Sequence, residues 1–112
     1  MKLHEESCTT GTRSTPELNT EERLSLLELL DHPWKINPLG HLEADFNFRN
    51  FLGAMNFANQ ITEIAEAENH HPDLHIRFGQ CRVEIWTHTI NGLSRSDIIL
   101  AAKIETCYET ER

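Results

Sequence analysis

Three of the chain's seven histidines fall between His70 and His75, and Pro72 stands directly behind two of them. Imidazole titrates closest to neutrality of any side chain, so neighbouring rings suit giving a proton at one atom of a substrate and removing one at another. Glu66 precedes His70 by four positions, a helical spacing that puts carboxylate and ring on one face and lets the first orient the second. Pro72 disfavours helical torsions at His71, so the two adjacent rings should leave the chain in different directions. His88 follows an alternating run, and eight residues separate it from Asp97 across the turn signal Asn91-Gly92, so both can return to one pocket. The chemistry that fits is acid/base catalysis without a covalent nucleophile.

Each position also has a plainer reading. Adjacent histidines before a proline can cap a helix end, Asp97 is accounted for by helix capping, and Glu66 is an ordinary solvated helix residue. His75, in strand phase, reads as surface exposed. A histidine-based metal site is the sharper rival, since imidazoles and a carboxylate can hold zinc or non-haem iron. Directly adjacent histidines serve a metal less well than HxH or HxxxH spacing, so no metal ligand is assigned.

The elements that must position these groups follow from periodicity. Thr20 with Glu21 and Glu22 reads as a helix start, and leucines 24, 26, 27, 29 and 30 carry the helix over 20–31, stopped by Pro33. Residues 34–37 and 41–48 alternate around Pro38-Leu39-Gly40 and predict a hairpin. Apolar positions from Phe51 to Ala65 recur at helical spacing and predict a helix over 50–69. A second hairpin is expected from residues 73–78 and 81–87, joined at Gly79-Gln80, and Ser94 with Asp97 reads as a capping box opening a helix that runs to about Tyr108.

The order α-β-β-α-β-β-α predicts an α+β fold: a four-stranded antiparallel sheet with three helices packed on one face. The other face and the sheet edges are left open, which invites pairing with a second copy, so a homodimer or homotetramer is expected. Residues 1–16 lack periodicity and read as a flexible N-terminal arm, with 17–112 as a single domain.

With 18 acidic and 10 basic side chains the formal net charge is −8, which argues against direct binding to nucleic acid or anionic membranes. No apolar run is long enough for a membrane span, and MKLHEESCTT lacks the apolar core of a signal peptide. Cys8, Cys81 and Cys107 form no CxxC pair and read as reduced thiols of a cytoplasmic protein, with Cys81 and Cys107 as small core residues.

Taken together, Glu66, three residues, His70-His71-Pro72, five residues, Phe78, nine residues, His88, eight residues and Asp97 resemble the signature of the pterin-4a-carbinolamine dehydratases. The similarity extends to FNFRNFLGAMNFANQITEIAEAENHHP and VEIWTHTINGLSRSDIILAAKIE and covers about residues 18–108. The resemblance implies loss of water from a 4a-hydroxytetrahydropterin to give a quinonoid dihydropterin, with the pterin as substrate and no cofactor. It places the step in tetrahydrobiopterin recycling beside an aromatic amino acid hydroxylase. It implies His70 and His88 as acid and base, His71 as a pterin ligand, Asp97 as support for the histidines, and Glu66, Pro72 and Trp34 around the substrate. Leu74 and His75 stand where many members carry an aromatic pair, which bears on pocket shape. The alternative is a dimerising partner protein on the same fold, catalytically secondary; a complete histidine set favours the enzyme.

Overall fold

Asn19 opens the first helix. Its side chain accepts the Glu22 backbone N–H at 2.8 Å, and the Glu22 carboxylate accepts the Asn19 N–H at 2.9 Å, a reciprocal cap one residue earlier than the Thr20 start read from sequence. In the computed structural model, which describes residues 2–9 and 11–111 with side chains through residue 108, this helix (α1) spans Thr20–Leu27. It ends four residues before the expected boundary because the bonds tighten, Leu29 N–H reaching Leu26 O at 3.0 Å and Leu30 N–H reaching Leu27 O at 3.1 Å.

The remaining elements are β1 (Lys35–Ile36), β2 (Leu42–Asn47), α2 (Phe51–Glu68), β3 (Asp73–Arg77), β4 (Gln80–Ile85) and α3 (Arg95–Glu111). The four strands form one antiparallel sheet in the order β1-β2-β4-β3, so the α+β order expected from periodicity is the observed one. The hairpin between β3 and β4 turns at Phe78-Gly79, one residue earlier than expected, because Gly79 takes the left-handed torsion (φ 73°) the two-residue turn needs. Phe78 is therefore no strand residue; it sits at the tip, 76% exposed.

Register sorts the side chains. Leu42, Ala44 and Phe46 of β2 pair with Ile85, Val83 and Cys81 of β4, and all six are buried. Leu74 and Ile76 of β3 extend this inner face. Against it pack Phe57 and Ile61 of α2, Ile98, Leu100 and Ile104 of α3, and Leu26 and Leu27 of α1, so the helices share one side. The outer face is polar: Arg82 meets Asp45 at 2.7 Å and Lys35 meets Glu43 at 3.8 Å.

The aperiodic N-terminal stretch lies along α3. Leu3 is buried, Arg95 donates to both Glu6 carboxylate oxygens at 2.9 and 2.8 Å, and Thr9 N–H donates to Ser96 Oγ at 2.9 Å. Single polar contacts of this sort leave no periodic trace in a sequence.

Candidate active site

Helix α2 ends at Glu68, and Asn69 caps it in the left-handed region (φ 52°, ψ 41°) with its N–H on Ala65 O. The cap turns the chain before the histidine pair, so neither His70 nor His71 is helical, and the expected Glu66–His70 pairing does not form. Glu66 instead meets His71, Oε2 to Nε2 at 2.5 Å, both side chains largely exposed.

His70 has a different partner. Its Nε2 lies 2.6 Å from Oδ1 of Asp97, which is fully buried; the carboxylate can only accept, so Nε2–H donates and Nδ1 is the nitrogen left for other work. The second oxygen, Oδ2, accepts the Thr87 hydroxyl at 2.8 Å and the Ser94 N–H at 2.8 Å. Ser94 and Asp97 thus form half of the expected capping box. The other half is absent because Ser94 Oγ bonds Thr87 Oγ1 at 2.8 Å, and the Asp97 N–H goes to Ser94 O at 3.1 Å. The buried carboxylate caps α3 and braces His70 at once, with its charge met by three donors.

Beyond β4, the chain makes a 3-10 turn over His88–Ile90 and reverses at Asn91 (φ 46°), with Thr87 N–H on Gly92 O at 2.9 Å. That reversal brings His88 to the mouth of a cleft of about 350 Å³ lined by Gly11, Asn69, His70, His71, Thr87, His88 and Thr89. Three imidazoles therefore face one space from two chain segments. A larger hollow of about 630 Å³ between the starts of α1 and α3 contains no histidine. Burial pushes the Cys8 thiol up to about 12, with Glu68 adding to the shift, and burial pushes Cys81 to about 12, so neither is poised as a thiolate nucleophile.

Comparison with known proteins gives the family. A family model described as pterin 4 alpha carbinolamine dehydratase matches residues 16–107. The chain belongs to that family. It is therefore placed among dehydratases, hydro-lyases by reaction class. A protein named "Putative pterin-4-alpha-carbinolamine dehydratase" from Rickettsia canadensis (strain McKiel) is 50% identical over 104 residues, 93% of this chain and 95% of the relative. One of the same name from Methylococcus capsulatus is 41% identical over 104 residues, covering 92% and 90%. A crystal structure described as a transcriptional coactivator/pterin dehydratase from Brucella melitensis superposes with a TM-score of 0.77 at 28% identity, over 82% of this chain and 98% of that one.

Of the site residues expected for a pterin carbinolamine dehydratase, His70, His71 and His88 share the cleft, with Asp97 behind His70. Glu66 and Pro72 line a smaller hollow of about 110 Å³ that His71 also borders. Trp34 is not brought to the histidine cleft: it is buried, its indole N–H donates to Glu105 at 2.8 Å, and its ring packs edge-on against Phe46. His75 lies on the outer sheet face opposite Arg82.

Sequence reasoning placed Ser94 only in the capping box with Asp97, and missed Thr87 and Gly11. A Cβ at Gly11 would come within 2.9 Å of Thr87 Cγ2 and 3.0 Å of Thr89 Oγ1, so a residue of the N-terminal stretch closes one wall of the cleft. The Thr-His-Thr run at 87–89 is the one sequence signal for this, a small polar wall around His88.

Proposed function

We propose that this chain dehydrates a 4a-hydroxytetrahydropterin to the quinonoid dihydropterin by histidine acid/base catalysis, as a step of tetrahydrobiopterin recycling beside an aromatic amino acid hydroxylase. The observation that carries the reading is the convergence of His70, His71 and His88 on one cleft, with His70 held from behind by buried Asp97. The C4a–O bond breaks as an imidazolium protonates the departing hydroxyl, the N5 lone pair closes the C4a–N5 double bond, and a neutral imidazole takes the N5 proton. Water and the quinonoid pterin leave, and the two histidines have exchanged protonation states. His70 and His88 take the acid and base roles, and His71, held by Glu66, orients the pterin.

Positioned acid/base groups typically give about 10²- to 10⁴-fold, which suits a dehydration that needs no further activation. In this reading the imidazoles supply both proton transfers, and the pterin is the substrate and not a cofactor. Stopped-flow absorbance on a 4a-hydroxytetrahydropterin tests the proposal. Acceleration over buffer, lost in His70→Ala/His88→Ala, is expected; no acceleration in the unsubstituted protein sinks it.

We also read the chain as a homodimer or homotetramer. β3 is an edge strand with five residues, and Phe78 at its end is 76% exposed, so this edge can take a second copy. Light scattering after gel filtration gives the mass, and a monomer at micromolar concentration overturns the reading. No helix among the described residues is long and apolar enough to cross a membrane.

A further inference from the structure

Two of the three cleft imidazoles are held by a carboxylate, His70 by Asp97 and His71 by Glu66. The His88 ring has no hydrogen bond among the described residues, although it is exposed and stands on a short 3-10 turn. What it has is an aromatic neighbour. Trp86 stacks on it with ring centroids 4.2 Å apart and planes 26° from parallel.

The other face of the indole is backed. Leu42 pairs with Ile85, which sets His41, one residue before β2, across from Trp86, one residue after β4, on the outer side of the sheet. The His41 ring lies 3.8 Å from Trp86 and within 2° of parallel. His41 is itself fixed: it is 7% exposed, and its Nδ1 donates to Glu84 Oε2 at 2.6 Å. The same oxygen accepts from Asn37 Nδ2 at 3.0 Å, so the stack rests on a hydrogen-bonded base within the sheet.

We propose that Trp86 is a positioning residue for His88: clamped by His41, its indole fixes the plane of the third imidazole at the mouth of the cleft. The inference rests on His88 acting in proton transfer. Proton transfer needs the ring nitrogen within hydrogen-bond reach of the reacting atom, and an exposed side chain on a turn otherwise spreads over several rotamers. Covering one face of the ring removes those rotamers. It leaves both ring nitrogens unbonded at its edge, which a carboxylate partner would not.

The test compares Trp86→Ala, Trp86→Phe, His41→Ala and His88→Ala for kcat and KM on a 4a-hydroxytetrahydropterin. NMR of the His88 ring protons, assigned by their loss in His88→Ala, accompanies the kinetics. Misplacing a catalytic group by about 1 Å can cost up to about 10²-fold, so Trp86→Ala should lower kcat about 10-fold with KM within about 2-fold, and Trp86→Phe should restore most of it. The His88 ring protons should be shifted upfield by the indole, and should move downfield in Trp86→Ala. Should Trp86→Ala fail to fold, His41→Ala is read instead, with kcat expected about 3-fold lower on the same reasoning. Unchanged kcat and unchanged His88 shifts in Trp86→Ala or, in its place, His41→Ala, beside an inactive His88→Ala, overturn the positioning role and leave the site reading standing. A fully active His88→Ala overturns both.

Discussion

His70 and Asp97 lie 27 positions apart in the chain and meet, Nε2 to Oδ1, at 2.6 Å in the interior. One element ends where the other begins: His70 follows the cap of α2, and Asp97 sits in the first turn of α3. The hydrogen bond therefore ties the orientation of a candidate proton-transfer group to the packing of two helices.

Asp97→Asn keeps the shape and removes the charge. The amide has one oxygen where the carboxylate had two, so of the donors on Thr87, Ser94 and His70 at least one now faces an NH2 group. Leaving a buried donor unsatisfied costs about 1–3 kcal/mol, so the melting temperature should fall by several degrees. Dehydratase activity should fall about 10- to 100-fold as His70 loses its tautomer. Thermal melts and steady-state rates on one preparation read both; an unchanged kcat/KM removes Asp97 from the mechanism.

Glu66→Gln should behave differently. Its bond to His71 is made by side chains that are 70% and 54% exposed, and exposed pairs contribute about 0–1 kcal/mol. The melting temperature should move by no more than about 2 °C, and the loss of kcat/KM should be smaller than for Asp97→Asn. A larger loss at Glu66 than at Asp97 would reverse the ranking of the two carboxylates.

The contrast between these carboxylates marks what the sequence could show. Helical spacing suggested Glu66 with His70, but Asn69 breaks the helix one residue before His70, and a left-handed cap is a property of one residue's torsions that periodicity does not report. The sheet was legible because its inner and outer rows alternate in nearly every residue from Leu42 to Phe46 and from Cys81 to Ile85. Thr87 and Ser94 were not, since their meeting depends on the reversal at Asn91. Trp34 was placed by resemblance, and its indole is engaged by Glu105 instead.

Trp34→Phe removes that indole N–H while keeping an aromatic ring against Phe46. Burial pushes Glu105 above the usual carboxylate range, against the lowering by the N–H groups of His32 and Asp31 and by Trp34. Losing one donor to a half-buried carboxylate should cost about 1–3 kcal/mol of stability. Because the ring lines no part of the histidine cleft, KM for the pterin should stay within about 2-fold, less than a single lost pocket contact costs. A KM rise of an order of magnitude would return Trp34 to the substrate site.

Asn69 carries a prediction of the opposite kind, in which a larger side chain is the problem. At φ 52° and ψ 41° an asparagine is tolerated, glycine is free, and a β-branched residue is strained by about 1–2 kcal/mol. Asn69→Gly should melt within about 2 °C of the parent, whereas Asn69→Val should melt several degrees lower. Asn69→Val should also lose activity, because the same turn aims His70 and His71 into the cleft. Full activity in Asn69→Val would detach the cap from the site.

Glu84 gives the pH dependence. Burial alone would raise its carboxyl, but the bonds from His41 and Asn37 outweigh burial and hold it below the usual range. A carboxyl lowered in the folded state binds fewer protons there than in the unfolded chain. Its contribution is therefore fully present above the unfolded value, about 4.3, and is lost as pH falls through the lower folded value. Glu84→Gln should melt below the parent at pH 7, and the gap should narrow as pH falls below the unfolded value of about 4.3 and close once the folded-state carboxyl is protonated too, when both chains carry a neutral group at this position. Paired thermal melts from pH 7 down through the acid range measure it, and a gap that stays constant as the parent's own stability falls with acid would show that the bonds to His41 and Asn37 do not depend on the charge.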